Sequence, residues 1–212
     1  MKELADALVR SGVLKTQAII EAFLAVDRKD FVLAEFQEEA YGDYPLSIGH
    51  DQTISQPTTV AFMLELLNPK QGEKILDVGS GSGWTTALLA FCVGKEGRVF
   101  GLERIPELIA FGKENIKKYA FPQATILQAE KILGLAKEAP FDKILVSAAA
   151  QSFPENLLSQ LKEGGILVIP VQNAVWRVKK LPQDPSTSLR ASKTEIQKFE
   201  GFGFVPLINQ EN

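Results

Sequence analysis

Cysteine occurs once, at Cys92, so no disulfide can form within the chain. That residue lies among apolar neighbours and reads as core rather than as a reactive thiol. Histidine also occurs once, at His50. With no second histidine to share a metal or a proton, it reads as a surface or hydrogen-bonded loop residue. No apolar run approaches the ~18 residues of a membrane helix. The first 30 residues lack the basic, apolar, small-residue order of a secretion signal. Positive charge is not in excess either: 23 Lys and Arg against 26 Asp and Glu leave a net charge of −3. Nothing therefore favours a phosphate backbone, and the clusters Lys113/Lys117/Lys118 and Lys179/Lys180 read as solvated faces. Together these absences imply a protein with no nucleic-acid or membrane partner, no metal site and a cytoplasmic address.

What is present is concentrated in Lys74-Ile75-Leu76-Asp77-Val78-Gly79-Ser80-Gly81-Ser82-Gly83-Trp84. An apolar run ends in glycines at alternate positions, and an amphipathic segment, Trp84 to Val93, follows. This is a strand, a tight turn and a helix. Glycine permits positive φ and lets a ligand lie against bare peptide, and the helix start directs N–H groups toward it. A dinucleotide loop, GxGxxG, wants its third glycine at position 84, which here is Trp. The pattern D-x-G-x-G-x-G instead looks like the S-adenosylmethionine loop of Rossmann-like methyltransferases. A second strand, 98–102, ends in Glu103, 20 residues after Gly83. An acid at that distance is placed to accept hydrogen bonds from ribose hydroxyls; the plainer alternative is a solvated strand end.

The rest of the chain frames this unit. Residues 1–30 read as two short helices broken at Ser11-Gly12, the second starting near Thr16. Residues 41–56 show neither helical nor strand periodicity and read as a functional loop. A helix is expected from about Ser55 to Leu67, then strand 74–78, helix 84–93, strand 98–102, helix 106–119, strands 124–128 and 142–147, helix 154–161 and strand 165–171. Alternating strands and helices imply a parallel sheet. Strand-like stretches at 175–180 and 193–200 flank a Pro- and Ser-rich segment read as a hairpin tip, and a last short strand is expected at Phe204-Val205. The fold expected is α/β: a mostly parallel, doubly wound, Rossmann-like methyltransferase sheet with a C-terminal antiparallel addition and a helical N-terminal extension. One domain is expected over 1–212, with N-terminal helices and a substrate-side loop (1–56), a cofactor-binding core (57–171) and C-terminal strands (172–212).

Several segments resemble the protein-L-isoaspartate O-methyltransferase family. They are Tyr41-Gly42-Asp43-Tyr44-Pro45-Leu46-Ser47-Ile48-Gly49, then Gln52-Thr53-Ile54-Ser55-Gln56-Pro57, and the glycine loop. Ser147-Ala148-Ala149-Ala150 with Phe153-Pro154, Leu157-Leu158 and Gln160-Leu161, and Phe204-Val205-Pro206-Leu207, are similar too. The resemblance covers nearly the whole chain. It implies S-adenosyl-L-methionine as cofactor and, as substrate, isoaspartyl residues in damaged proteins or peptides. The α-carboxylate is methylated, and the ester closes to a succinimide that hydrolyses in part to aspartate.

By the same resemblance Ser55 is the active-site residue, and Thr53 and Ser55 meet the substrate carboxylate. Gln52, Thr53, Asp77, Gly79, Gly81, Gly83, Glu103 and Glu130 fall to the cofactor, with Glu103 on the ribose. The chain departs from the family in three places: Ala129-Glu130-Lys131 replaces a G-D-G near the adenine, Asp51 precedes Gln52, and Ile208 follows Pro206-Leu207. A monomer is expected.

The chemistry fits without the family. A carboxylate is already an anion at neutral pH, so methyl transfer to it needs alignment and partial desolvation rather than a general base. A hydroxyl and N–H groups at a helix start can hold a carboxylate without quenching it. Ser55 is so placed, although a serine there can also be a plain N-cap. Two alternatives stay open: a related carboxyl methyltransferase acting on another peptide or small molecule, and a non-catalytic S-adenosylmethionine-binding module. A nucleic-acid amino-methyltransferase is disfavoured, because Ser147-Ala148-Ala149-Ala150 stands where a D/N-P-P-Y/F run is usual.

Overall fold

The strand at Lys74–Val78 (β3) sits centrally in a seven-stranded sheet because every one of its residues from Ile75 onward is buried, and its successive apolar side chains serve the cores on both faces. The computed structural model describes residues 1–182 and 193–207. The Pro- and Ser-rich segment 184–192 and Ile208 lie outside the described residues.

The chain opens with helices α1 (Lys2–Arg10) and α2 (Gln17–Ala25), then two 3₁₀ turns, Arg28–Phe31 and Ala34–Glu39. The amides of Lys15 and Thr16 and the Thr16 hydroxyl all donate to the Glu65 carboxylate, at 2.7 Å each, which anchors the start of α2. The stretch read as a periodicity-free loop contains a hairpin instead. Strands β1 (Leu46–Gly49) and β2 (Gln52–Ile54) pair antiparallel around His50-Asp51, with φ of 55° and 56°. Positive φ at both central residues is the geometry that matches strand twist in a two-residue turn.

Helix α3 (Pro57–Leu67) begins two residues later than expected, with proline in its first turn and Gln56 as N-cap. No side chain of Gln56 caps it. The missing cap comes from the preceding loop: Asp43 accepts the Thr58 amide at 2.9 Å and the Thr58 hydroxyl at 2.6 Å.

After β3 come α4 (Trp84–Val93), β4 (Arg98–Glu103), α5 (Pro106–Lys117), β5 (Ala124–Gln128), β6 (Phe141–Val146) and the short α6 (Glu155–Ser159). Strands β7 (Leu161–Val171), β8 (Ala174–Lys180) and β9 (Thr194–Glu200) complete the sheet. Helix α5 is two residues shorter than its pattern, α6 shorter still, and β7 starts four residues earlier than expected. The expected strand at 204–205 is a single parallel bridge, Pro206 to Ala149, flanked by bonds from Ala149 N to Val205 O (2.8 Å) and Leu207 N to Ala149 O (2.7 Å).

The strand order is β5-β4-β3-β6-β7-β8-β9, with β3 to β7 parallel and β8 and β9 added antiparallel. This is the doubly wound α/β architecture expected of a methyltransferase, with its antiparallel addition. The direction of winding reverses between β4 and β6, either side of β3. Ligands bind open α/β sheets at the carboxyl ends of strands beside such a reversal. None of the helices among the described residues is long and apolar enough to cross a membrane.

Candidate active site

Gly79, Gly81 and Gly83 all take positive φ, at 81°, 52° and 91°. At Gly83 the requirement is double. It is the left-handed N-cap of α4, and a Cβ there would meet Gly112 O and Ile126 Cδ1 at 3.2 Å each. Only glycine lets α4 start this close to α5. The turn is held from β4: the amides of Gly79 and Ser80 both donate to Leu102 O, at 2.8 and 3.0 Å.

Glu103 closes the same turn. Its Oε2 accepts the Gly81 amide at 3.0 Å, and its Oε1 accepts the amides of Arg104 (2.7 Å) and Ile105 (3.0 Å). At 6% exposure it is buried, so the alternative of a solvated strand end is wrong. The loop amides expected to be open to a ligand are mostly engaged. The Ser82 amide has no partner among the described residues, and the buried Ser80 hydroxyl is likewise unpartnered.

Asp77 lies beneath the loop and is fully buried. Its carboxylate accepts from Thr85 (2.7 Å) and Thr86 (2.6 Å), with Ser147 at 3.4 Å. Burial pushes its pKa up from 3.8 to about 6, and the three hydroxyls oppose that rise.

Three openings meet here. A cleft of about 610 Å³ runs past Gln52, Gly79, Glu103, Ala129, Glu130 and Leu207. A smaller one of about 320 Å³ lies over Gly79 to Ser82, Trp84 and Thr85, bounded by Thr53 and Ser55. A third, of about 960 Å³, is lined by Pro45, Thr53, Ser55, Gln56, Thr59, Ser147 and the segment 203–206. Gly79 borders the first two; Thr53, Ser55 and Ser147 border the last two.

The residues singled out from the sequence thus converge on one connected site. Glu130 stands at its rim, about two-thirds exposed and ion-paired with Lys137 at 3.1 Å. Gln52 donates to the hairpin carbonyls of His50 and Asp51 (3.3 and 3.0 Å) while bordering the first cleft. Ser55 is not the N-cap of α3, and its hydroxyl has no hydrogen bond among the described residues.

The site also holds residues that the sequence did not mark. Ser147, after β6, lines two of the openings and was legible only as part of a matching block. The buried Arg28, from outside, bonds the backbone of Ser55; nothing local in the sequence marks it. Among the described residues no cluster of His, Cys, Asp and Glu could hold a metal ion.

A polar, ribose-bearing ligand fits the residues present. The acid sits at the strand end, the loop is free of Cβ atoms at its turns, and Ser80 Oγ and the Ser82 amide await partners.

Comparison with known proteins agrees with this geometry. The model of the protein-L-isoaspartate(D-aspartate) O-methyltransferase family matches residues 1–212. The protein-L-isoaspartate O-methyltransferase of Ignicoccus hospitalis is 40% identical, over 99% of this chain and 98% of its own. That of Methanopyrus kandleri is 40% identical, over 99% and 92%. Among solved structures, a Plasmodium falciparum protein described as a protein-L-isoaspartate O-methyltransferase, in complex with S-adenosyl-L-homocysteine, superposes with a TM-score of 0.84. The two are 29% identical, over 99% of this chain and 98% of that one.

Proposed function

The chain belongs to the protein-L-isoaspartate(D-aspartate) O-methyltransferase family, and from that premise we propose how its own residues perform the reaction. The activity is S-adenosylmethionine-dependent methyl transfer to isoaspartyl carboxylates in proteins, the step that starts their repair. When bound, S-adenosylmethionine supplies a methyl carbon made electrophilic by its sulfonium.

Glu103 receives the ribose. An ionised carboxylate offers about four acceptor sites, and three are taken by the amides of Gly81, Arg104 and Ile105. One site is left for a ribose hydroxyl, so a second hydroxyl has to share or displace an amide. Gly79, Gly81 and Gly83 keep the loop low enough for a ligand to lie on it, and Ser80 and Ser82 offer the unpartnered polar groups. Asp77 sets the loop from below through Thr85 and Thr86. Gln52 and Glu130 border the adenosine side, and Thr53 stands between cofactor and substrate.

Ser55 holds the substrate carboxylate. Its hydroxyl is free to donate, and the opening it shares with Thr53 and Ser147 is wide enough for a peptide branch. No group near it acts as a base, and a carboxylate nucleophile needs none. Alignment and exclusion of water by the walls at Pro45, Phe204 and Pro206 do the work. We further read the chain as one domain over 1–212, with residues 1–56 forming the substrate side, 57–171 the cofactor core and 172–212 the closing strands. It acts as a monomer in the cytoplasm.

The observation that carries this reading is the continuity of the openings from Glu103 to Ser55 through Gly79, Thr53 and Ser147. The test is transfer of labelled methyl from S-adenosylmethionine to paired isoaspartyl and aspartyl peptides of one sequence. Label in the isoaspartyl member alone is the expected result. Equal labelling of both would favour a broader carboxyl methyltransferase, and cofactor binding without transfer a non-catalytic module.

A further inference from the structure

Arg28 is fully buried, yet it takes part in none of the ion pairs among the described residues. Its guanidinium is spent on backbone oxygens. Nη1 donates to Ala40 O (2.8 Å) and Gly42 O (3.2 Å), and Nη2 to Tyr44 O (3.0 Å) and Ser55 O (3.1 Å). Nε has no partner. The plane also lies over the Trp84 ring, with Cζ 5.4 Å from its centroid. Trp84 is the first residue of α4 after the glycine loop, and it lines the same small cleft as Ser55.

A buried cation with no carboxylate in contact is a costly device, although the negative charge of Asp43 nearby offsets part of the burial. Desolvation is strong enough here to pull the guanidinium down to about 10. Of the carbonyls it reaches, that of Ala40 is buried and depends on it, whereas Tyr44 is exposed and Gly42 and Ser55 are half-buried, with water within reach. What only a planar fork of donors can do is draw the substrate-side loop, the Ser55 backbone and the start of α4 to one point.

We propose that Arg28 is a positioning residue for methyl transfer, which fixes the backbone of Ser55 relative to the cofactor loop so that the Ser55 hydroxyl meets the substrate carboxylate in line. The proposal rests on the reading of Ser55 as the carboxylate-binding residue. It differs from a purely structural role in one respect: the effect of Arg28 on catalysis passes through Ser55. Lysine has a single ammonium and cannot span four carbonyls in a plane.

The test is a cycle of four proteins: parent, Arg28→Lys, Ser55→Ala and the double variant. Each is measured for kcat and KM with isoaspartyl peptide, for S-adenosyl-L-homocysteine affinity by calorimetry, and for thermal midpoint, with assays run well below the lowest midpoint. Arg28→Lys should lower kcat/KM about 10- to 100-fold, mostly in kcat, as expected for displacing a reacting group by about 1 Å. S-adenosyl-L-homocysteine affinity should stay within about threefold of parent, and the double variant within about threefold of Ser55→Ala, because residues acting as one unit are not additive.

Parental kcat/KM in Arg28→Lys overturns the proposal. So does the same fold-loss in both Ser55 backgrounds, and so does a parallel loss of S-adenosyl-L-homocysteine affinity. If Arg28→Lys does not fold, Arg28→Met replaces it in the cycle; if neither folds, the residue serves the fold and the proposal falls. A parent inactive on isoaspartyl peptide overturns the functional reading itself, before any variant is compared, and the role of Arg28 with it.

Discussion

Glu103 accepts the amide hydrogen of Gly81 at 3.0 Å, so the acid that ends β4 also pins the middle of the glycine loop. One side chain thereby serves folding and ligand binding together. The same economy recurs at Asp77, which is roofed by the loop and braced by two threonines of α4. It recurs at Asp43, which belongs to the substrate-side loop and caps the helix that follows Ser55.

Replacing Glu103 with Ala should act on both functions. Loss of the ribose acceptor is expected to weaken S-adenosyl-L-homocysteine binding by about 1.5–3 kcal/mol. Folding is touched too, because three amides lose their acceptor. The ligand-free thermal midpoint should therefore fall as well. Calorimetry and melting on one preparation check this. Parental affinity with a lowered midpoint would make Glu103 purely structural.

The cofactor half of the site was legible because its signals are local. Ile75, Leu76 and Val78, the three alternating glycines and the acid 20 residues on all lie within one strand–helix–strand unit. The substrate half was not. Strands β1 and β2 have four and three residues, too few to show a period, and their turn uses His50-Asp51 rather than a glycine pair. Asp43 caps a helix from 15 residues away, and Arg28 bonds carbonyls 12 to 27 residues ahead. No window around Arg28 can distinguish it from an ordinary solvated arginine.

Asp77 should make stability depend on pH. Its pKa is raised on folding from 3.8 to about 6, chiefly by burial. The folded state therefore holds the proton more tightly than the unfolded chain does. The contribution of Asp77 is fully present below about pH 4 and is lost as pH rises through about 6, a change of about 3 kcal/mol. Asp77→Asn lacks this titration. Urea unfolding of ligand-free parent and variant between pH 4 and 7 should show the parent losing ground to the variant over that interval. A constant difference between the two would show that Asp77 does not titrate there.

Asp43→Ala should expose the Thr58 amide at the start of α3. Losing an N-terminal cap costs about 0.5–2 kcal/mol, or a few degrees of thermal midpoint at about this chain length. Cofactor affinity should be unaffected, since no atom of Asp43 borders the cofactor clefts. Differential scanning calorimetry with and without S-adenosyl-L-homocysteine checks both parts. An unchanged midpoint would mean that water replaces the cap at no cost.

Ser55→Ala separates capping from catalysis. The helix after it starts at Pro57 with Gln56 as N-cap, and the Ser55 hydroxyl bonds nothing among the described residues. Removing that hydroxyl deletes no internal hydrogen bond, so stability should stay within about 0.5 kcal/mol of parent. Binding of S-adenosyl-L-homocysteine should hold too, because Gly81, Glu103 and Asp77 keep all their partners. Turnover should not hold. A single preorganised donor aimed at a reacting oxygen is worth about 2–4 kcal/mol of transition-state stabilisation, which is about 30- to 900-fold in rate. The substrate carboxylate loses that donor at the opening shared by Thr53, Ser55 and Ser147. The loss should appear with isoaspartyl peptide at saturating cofactor and persist at temperatures far below the thermal midpoint. Near-parental turnover in a variant of parental stability would leave the Ser55 hydroxyl with no role, and would move the carboxylate site to Thr53 or Ser147, the hydroxyl-bearing residues that border the same two openings as Ser55.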